Sequence, residues 1–155
     1  MTPLLNTKQS LGKTGELLVI SLLLDEGREV YTPTVDDHGI DLLVRTRNYR
    51  RDGCKEDAGS YEFQEIQVKT VSGAGEALFV FKLKQARPNY WFIFYVKNIN
   101  TYWIINSMEI SKPGQFPQNK AGKHIGKYNI CLTTPKGNIS ERNKGFIVKD
   151  FSKIP

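Results

Sequence analysis

The segment Glu65-Ile66-Gln67-Val68-Lys69 holds the side chains with the most chemical content in this sequence. Successive side chains of a strand point to opposite faces, so Glu65, Gln67 and Lys69 share one face and Ile66 and Val68 the other. The apolar pair suits packing beneath a helix, and the polar trio suits a cleft. Upstream, in Gly39-Ile40-Asp41, strand parity places Asp41 and Leu43 on one face and Ile40, Leu42 and Val44 on the other. If the two segments are hairpin neighbours, Asp41 stands beside Gln67 and Lys69. A carboxylate, an amide carbonyl and a lysine then meet in one place, and Glu16 of an N-terminal helix is a further acid for the set.

Such a set suits magnesium-assisted hydrolysis of a phosphodiester. Mg²⁺ takes oxygen ligands and keeps several waters. Asp41 and the Gln67 carbonyl are its expected ligands, and Glu65 is a third. A bound ion polarises the scissile phosphate and lowers the pKa of an attacking water. Lys69 is expected to orient that water or to stabilise charge growing in the transition state. Glu16 adds a ligand or supports one from behind. The expected catalytic residues are therefore Glu16, Asp41, Gln67 and Lys69, with Mg²⁺ or Mn²⁺ as cofactor.

Each of these residues has a simpler role when taken alone. A helix glutamate is usually solvated, an aspartate after glycine often caps a turn, and Gln67 with Lys69 fits a half-exposed sheet face. Their joint order and spacing favour chemistry. Other signals are weaker. Gly12-Lys13-Thr14 ends like a phosphate-binding loop, but Thr7 stands where that motif needs glycine and no strand precedes it. His38 and His124 have no partner at metal-ligand spacing, although His38 with Asp36 and Asp37 is placed for a cleft rim. Cys54 and Cys131 form no CxxC pair, which argues against structural zinc and for reduced thiols in a cytoplasmic protein.

The elements that must position these residues are legible in outline. Thr7 to Glu26 has helical patterning through Leu17, Ile20, Leu23 and Leu24, and Gly27 is a natural stop. Strands are expected at Glu29 to Thr32, Gly39 to Arg47 and Tyr61 to Thr70, with the polar stretch Asn48 to Gly59 as a hairpin loop. Leu78 to Lys84 alternates. Tyr90 to Val96 reads as a buried strand paired with Thr101 to Ile105 across the turn Lys97-Asn98-Ile99-Asn100. The aromatic run there is read as core, with one of Tyr102 and Trp103 left for the surface. A strand at Tyr128 to Thr133 follows, and the tail beyond Asn138 is a short helix or an irregular arm. The expected fold class is α/β, a mixed central β-sheet flanked by helices.

At 155 residues the chain fits one domain, with a core over about 7–105 and a basic loop and tail over 106–155. Its 39% hydrophobic and 25% charged residues fit an ordinary globular protein. The longest apolar run, Leu17 to Leu24, is too short to span a bilayer, and no export signal is read at Met1 to Ser10. A net charge of +6 suits a polyanionic partner, since neutralised phosphates release counterions. The stretch 112–127 holds Lys112, Lys120, Lys123, His124 and Lys127 without an acid, and its glycines and prolines predict an exposed loop. These five are the expected nucleic-acid contacts.

The order Glu16, Gly39-Ile40-Asp41, Gln67-Val68-Lys69 resembles the PD-(D/E)XK nuclease superfamily, especially its small archaeal and bacterial endonucleases and its Mrr-like and Holliday-junction-resolvase-like branches. Gly15-Glu16, the turn Asp25-Glu26-Gly27 before Glu29-Val30-Tyr31, and Gln67-Val68-Lys69-Thr70 belong to the same resemblance, which covers about residues 10–105. It implies a restriction-endonuclease-like core and a Mg²⁺-dependent endonuclease acting on DNA, as a homodimer. Gln67 departs from the family's usual acid at the second metal position, as in the Mrr-like branch. An amide brings no charge, so the alternative is a catalytically weak or inactive nucleic-acid-binding module or an interaction subunit.

Overall fold

Helix formation begins where the apolar residues return at helical spacing. The computed structural model describes residues 7–35, 39–47, 61–73 and 75–155. The N-terminal helix α1 spans Thr7–Asp25. It ends in a Schellman motif: Gly27 N–H bonds the Leu24 carbonyl (2.9 Å) and Arg28 N–H the Leu23 carbonyl (3.0 Å). That closure needs a left-handed residue, and Gly27 has φ 74°. The buried stripe of α1 is Gly15, Val19 and Leu23, at steps of four. Leu17 and Leu24, expected on the apolar face, are instead 56% and 53% exposed. Helical spacing alone admits several stripes. The one used is that containing the glycine that lets the helix approach the sheet.

Among the described residues eight strands follow: β1 (Glu29–Tyr31), β2 (Leu42–Arg47), β3 (Tyr61–Val71), β4 (Leu78–Phe81), β5 (Tyr90–Val96), β6 (Thr101–Asn106), β7 (Tyr128–Cys131) and β8 (Ile147–Val148). Six of them make the central sheet in the order β1-β2-β3-β5-β6-β8. Among the described residues only β3 and β5 pair in parallel, in the register Glu65–Tyr90, Gln67–Phe92 and Lys69–Phe94. A parallel neighbour requires a crossover, and residues 72–89 supply it, with β4 on the way. The antiparallel β2–β3 pair sets Leu42 against Ile66 and Arg47 against Tyr61. The expected hairpin loop, Asn48 to Gly59 with Cys54, lies outside the described residues, as do Asp36, Asp37 and His38.

The sheet is mixed and buried on both faces. On one side Val19 and Leu23 pack on Leu42, Val44, Ile66 and Val68, so the apolar pair of β3 lies under α1 as its parity requires. The opposite side is covered by a two-stranded antiparallel ribbon, β4 with β7, rather than by a long helix. Phe79 and Phe81 from this ribbon meet Phe92 and Phe94 of β5 at ring separations of 4.9 and 4.8 Å for the pairs Phe79–Phe94 and Phe81–Phe92. Each such ring removed from water contributes roughly 1.5–3 kcal/mol. The short helix α2 (Ser107–Ile110) follows β6, capped by the Asn106 side chain accepting from Met108 N–H.

The turn between β5 and β6 is a 3₁₀ turn at Lys97–Ile99 closed by Asn100, a left-handed residue at φ 44°. Trp103 is fully buried, while Tyr102 is half-buried and stacks on Tyr95. The tail is a short 3₁₀ helix followed by a strand rather than a loose arm. After a 3₁₀ stretch at Glu141–Phe146, β8 adds to β6, and Phe151 and Ile154 join the core beneath α1. No helix among the described residues is long and apolar enough to cross a membrane.

Candidate active site

The site forms where β3 outruns β2. β3 continues to Val71, whereas β2 begins only at Leu42 opposite Ile66, so the β3 amides beyond that point lack a strand partner on this side. A buried N–H left unpaired is costly. Asp41 resolves this. Its own N–H still bonds the Ile66 carbonyl (2.9 Å), and its carboxylate Oδ2 accepts the Val68 N–H at 2.7 Å. Asp41 therefore docks on β3 at the Ile66–Val68 step, one residue before β2 begins. A carboxylate bonded in this way is held in one place by the sheet itself.

Gln67 is buried at 8% exposure, and its Oε1 accepts the Tyr90 hydroxyl at 3.2 Å. The Tyr90 hydroxyl also lies 3.3 Å from the Gly39 carbonyl. Gly39 has φ +70°, and a Cβ there would come within 2.7 Å of Gln67 Nε2. Glycine is thus required twice, for the backbone conformation and for the room that Gln67 occupies. Lys69, two residues on along the same face, is half-buried and makes no hydrogen bond or ion pair among the described residues.

Helix α1 brings a second layer. Gly15 meets β3 so closely that a Cβ on it would lie 1.8 Å from Thr70 Oγ1. This contact sets the height of Glu16, the next residue, over the end of the sheet. Glu16 accepts from Lys13 Nζ at 2.8 Å, one helical turn earlier. The hydrogen bond and charge of Glu16 raise the Lys13 pKa, and the Asp41 charge acts in the same direction. Lys13 thus lies within the electrostatic reach of both acids.

Glu65 is engaged elsewhere. Arg87 grips its Oε2 through Nε at 2.6 Å and through Nη2, and the guanidinium lies 4.6 Å from the centre of the Tyr90 ring. Beside this pair opens a cleft of about 390 Å³, with Gly39, Gln67 and Tyr90 at its base and Lys82, Lys84, Gln85 and Arg87 along its rim. The basic stretch 112–127 lies apart. Lys112 and Lys120 line a second cavity, of about 550 Å³, which shares no lining residue with the cleft. Lys112 is 3.6 Å from Glu109, Lys127 Nζ is 3.3 Å from His124 Nδ1, and Lys123 is exposed.

Asp41, Gln67 and the Gly39 carbonyl are hard oxygen donors, which suits Mg²⁺ or Mn²⁺. The set is poor in charge: no group of three His, Cys, Asp or Glu side chains able to hold an ion occurs among the described residues. Water would have to complete the shell. Sequence parity pointed to Asp41, Gln67 and Lys69. Lys82 and Lys84 carried only the faint signal of alternation along Leu78 to Lys84, Tyr90 was read as core, and Arg87 carried no signal.

No protein-family model matches the chain, and no curated protein does. Among solved structures it is similar to a bacterial homing endonuclease, I-Ssp6803I, with a TM-score of 0.55 and 16% identity over 88% of this chain and 83% of that one. A nuclease from a fusselovirus aligns with a TM-score of 0.45 and 17% identity over 84% of this chain and 86% of that one. At 16% identity the likeness to the homing endonuclease is one of fold.

Proposed function

We propose that this chain is a metal-dependent endonuclease of the PD-(D/E)XK type that hydrolyses DNA phosphodiester bonds. The observation that carries this reading is the Asp41 carboxylate fixed on the Val68 N–H, next to Gln67 in β3, with Lys69 two residues beyond Gln67 along the same strand. The arrangement is set in a fold similar to that of a homing endonuclease. Asp41 and the Gln67 carbonyl are the residues to hold Mg²⁺ or Mn²⁺, and Glu16 is the acid on the helix side. A bound ion supplies Lewis-acid polarisation of the phosphate and a more acidic water. The chain's own part is positioning and charge. The Val68 N–H aims Asp41, the Tyr90 hydroxyl holds the Gln67 amide, and Lys69 offers a cation to charge developing on the phosphate. Because one site of this size cuts one strand, a homodimer is the form suited to duplex cleavage.

The test is incubation with plasmid, branched and single-stranded DNA in Mg²⁺ or Mn²⁺, then with EDTA. Cleavage is expected only with the ion. Asp41→Asn, which keeps the side-chain shape, is expected to lower the rate by at least about 100-fold, and Lys69→Ala by a similar factor. Cleavage that survives EDTA or Asp41→Asn would defeat the assignment. A binding module without cleavage is the second reading, and the low charge of the donor set favours it. It predicts salt-dependent DNA binding by a wild-type chain that cuts nothing with either ion.

A further inference from the structure

The side chains of β4 alternate, with Phe79 and Phe81 turned into the core and Leu78 and Val80 outward. The parity continues past the end of the strand: Leu83 packs on the core, and Lys82 and Lys84 are exposed. Two lysines are therefore presented side by side by a segment whose intervening residue is anchored. Arg87 is anchored more firmly. Its backbone N–H donates to Ser107 Oγ at 2.9 Å, and the same hydroxyl donates to the Arg87 carbonyl at 2.7 Å. Its guanidinium is fixed by Glu65 below and Tyr90 alongside. Only Nε and Nη2 are used on Glu65, and Nη1 donates no hydrogen bond among the described residues. Among the described residues the lining of the cleft contains three cations and no carboxylate, and Gln67 lies at its base.

We infer that Lys82, Lys84 and Arg87 form the rim on which the DNA backbone is held, with Glu65 as the positioning residue that presents the free edge of Arg87 to a phosphate. This rests on the nuclease reading and deepens it, because the rim borders the cleft that Gln67 floors. A cleft of about 390 Å³ lies near the small end of ligand pockets, about 300–1,000 Å³, so it takes a backbone unit rather than the width of a duplex. Glu65, expected as a metal ligand, instead spends its charge on Arg87. The basic stretch 112–127 then lies away from the DNA path at the cleft.

The experiment is fluorescence anisotropy of a labelled duplex in EDTA, where no cleavage intrudes, over a series of salt concentrations. Lys82→Ala with Lys84→Ala is expected to weaken binding on the order of ten- to a hundredfold near 0.1 M salt. The same variant should lower the log–log salt slope by about 2, since each lost phosphate contact removes about 0.9. Arg87→Lys keeps the charge and loses the fork, so a several-fold loss with an unchanged slope is expected. Thermal melting of each variant shows that it is folded. If the Lys82 and Lys84 double variant binds with wild-type affinity and slope, the rim is overturned. The same holds if the loss falls on Lys120→Ala with Lys123→Ala instead. A wild-type chain that binds no DNA overturns the nuclease reading itself, whereas one that cuts normally with the rim lysines removed overturns the rim alone.

Discussion

Gln67 is where the chemistry of the site is most open to alteration. Its carbonyl is buried and already accepts the Tyr90 hydroxyl, and it contributes a dipole where a carboxylate would contribute a charge. Gln67→Glu leaves the shape almost unchanged, and the Tyr90 hydroxyl can donate to either side chain. Without metal, the new carboxylate beside Asp41 pays for burial and like charge, so the variant is expected to melt lower than wild type. With Mn²⁺ the second charge should tighten binding by about tenfold, roughly 1.4 kcal/mol. The metal-induced rise in melting temperature should therefore be larger in the variant than in wild type. Equal rises in the two proteins would place the ion elsewhere. The pairing of β2 with β3 that brings Asp41 to the Gln67 strand was legible in the sequence because strand parity and hairpin register follow from local pattern. The partnership of Glu65 with Arg87, 22 residues apart, was not, because the parallel pairing of β3 with β5 brings it about and local pattern does not reveal that pairing.

Elements place these residues, and one helix contact sets the geometry. Glycine inside a helix costs about 1 kcal/mol relative to alanine, and α1 contains two, Gly12 and Gly15. They differ in surroundings. A Cβ at Gly12 would meet nothing within 4 Å, whereas at Gly15 it would overlap the side chain of Thr70. Gly12→Ala is expected to stabilise the chain by about 0.5–1 kcal/mol in urea denaturation. Gly15→Ala must lift the helix from β3, and overpacking of about 1–3 kcal/mol offsets the gain in helix propensity. The displacement carries Glu16 with it, so cleavage should fall by up to about 100-fold even in folded protein. Equal stabilisation by the two substitutions would show that the close approach is not structurally required. The sequence announced the helix and its end, yet it misled on the buried stripe, because Leu17 and Leu24 are apolar and exposed. Hydrophobicity marks what can be buried; the close approach at Gly15 decides what is. The ribbon of β4 and β7 was similarly half legible, its strands recognisable and their pairing not.

At the scale of the whole molecule, the two ends of α1 do different work. The N-terminal half carries Lys13, Gly15 and Glu16 to the site, and the far end binds the tail. Arg28 donates to the Pro155 and Ile154 carbonyls at 2.7 and 3.0 Å, and Glu26 Oε1 accepts the Phe151 N–H at 2.9 Å. Lys153 Nζ adds a bond to the Ile104 carbonyl at 2.7 Å. These bonds seat Phe151 and Ile154 under the helix and hold the tail that follows β8 at the sheet edge. None of this was readable in a tail whose backbone is held by side chains from residues more than 120 positions away. Helix rise is about 1.5 Å per residue, so Glu16 and the C-terminal end of α1 are separated by roughly 14 Å along the axis. Stability and catalysis should therefore part company. Arg28→Ala is expected to cost about 1–3 kcal/mol, which in a domain of this size lowers the melting temperature by about 2–4 °C per kcal/mol. Hydrogen exchange should quicken in β8 and at Phe151 before it does in β3. Below the melting range, the cleavage rate and its dependence on Mn²⁺ should match wild type. A variant with unchanged stability but impaired cleavage would reverse this division, and would mean that the tail acts on the site through the helix.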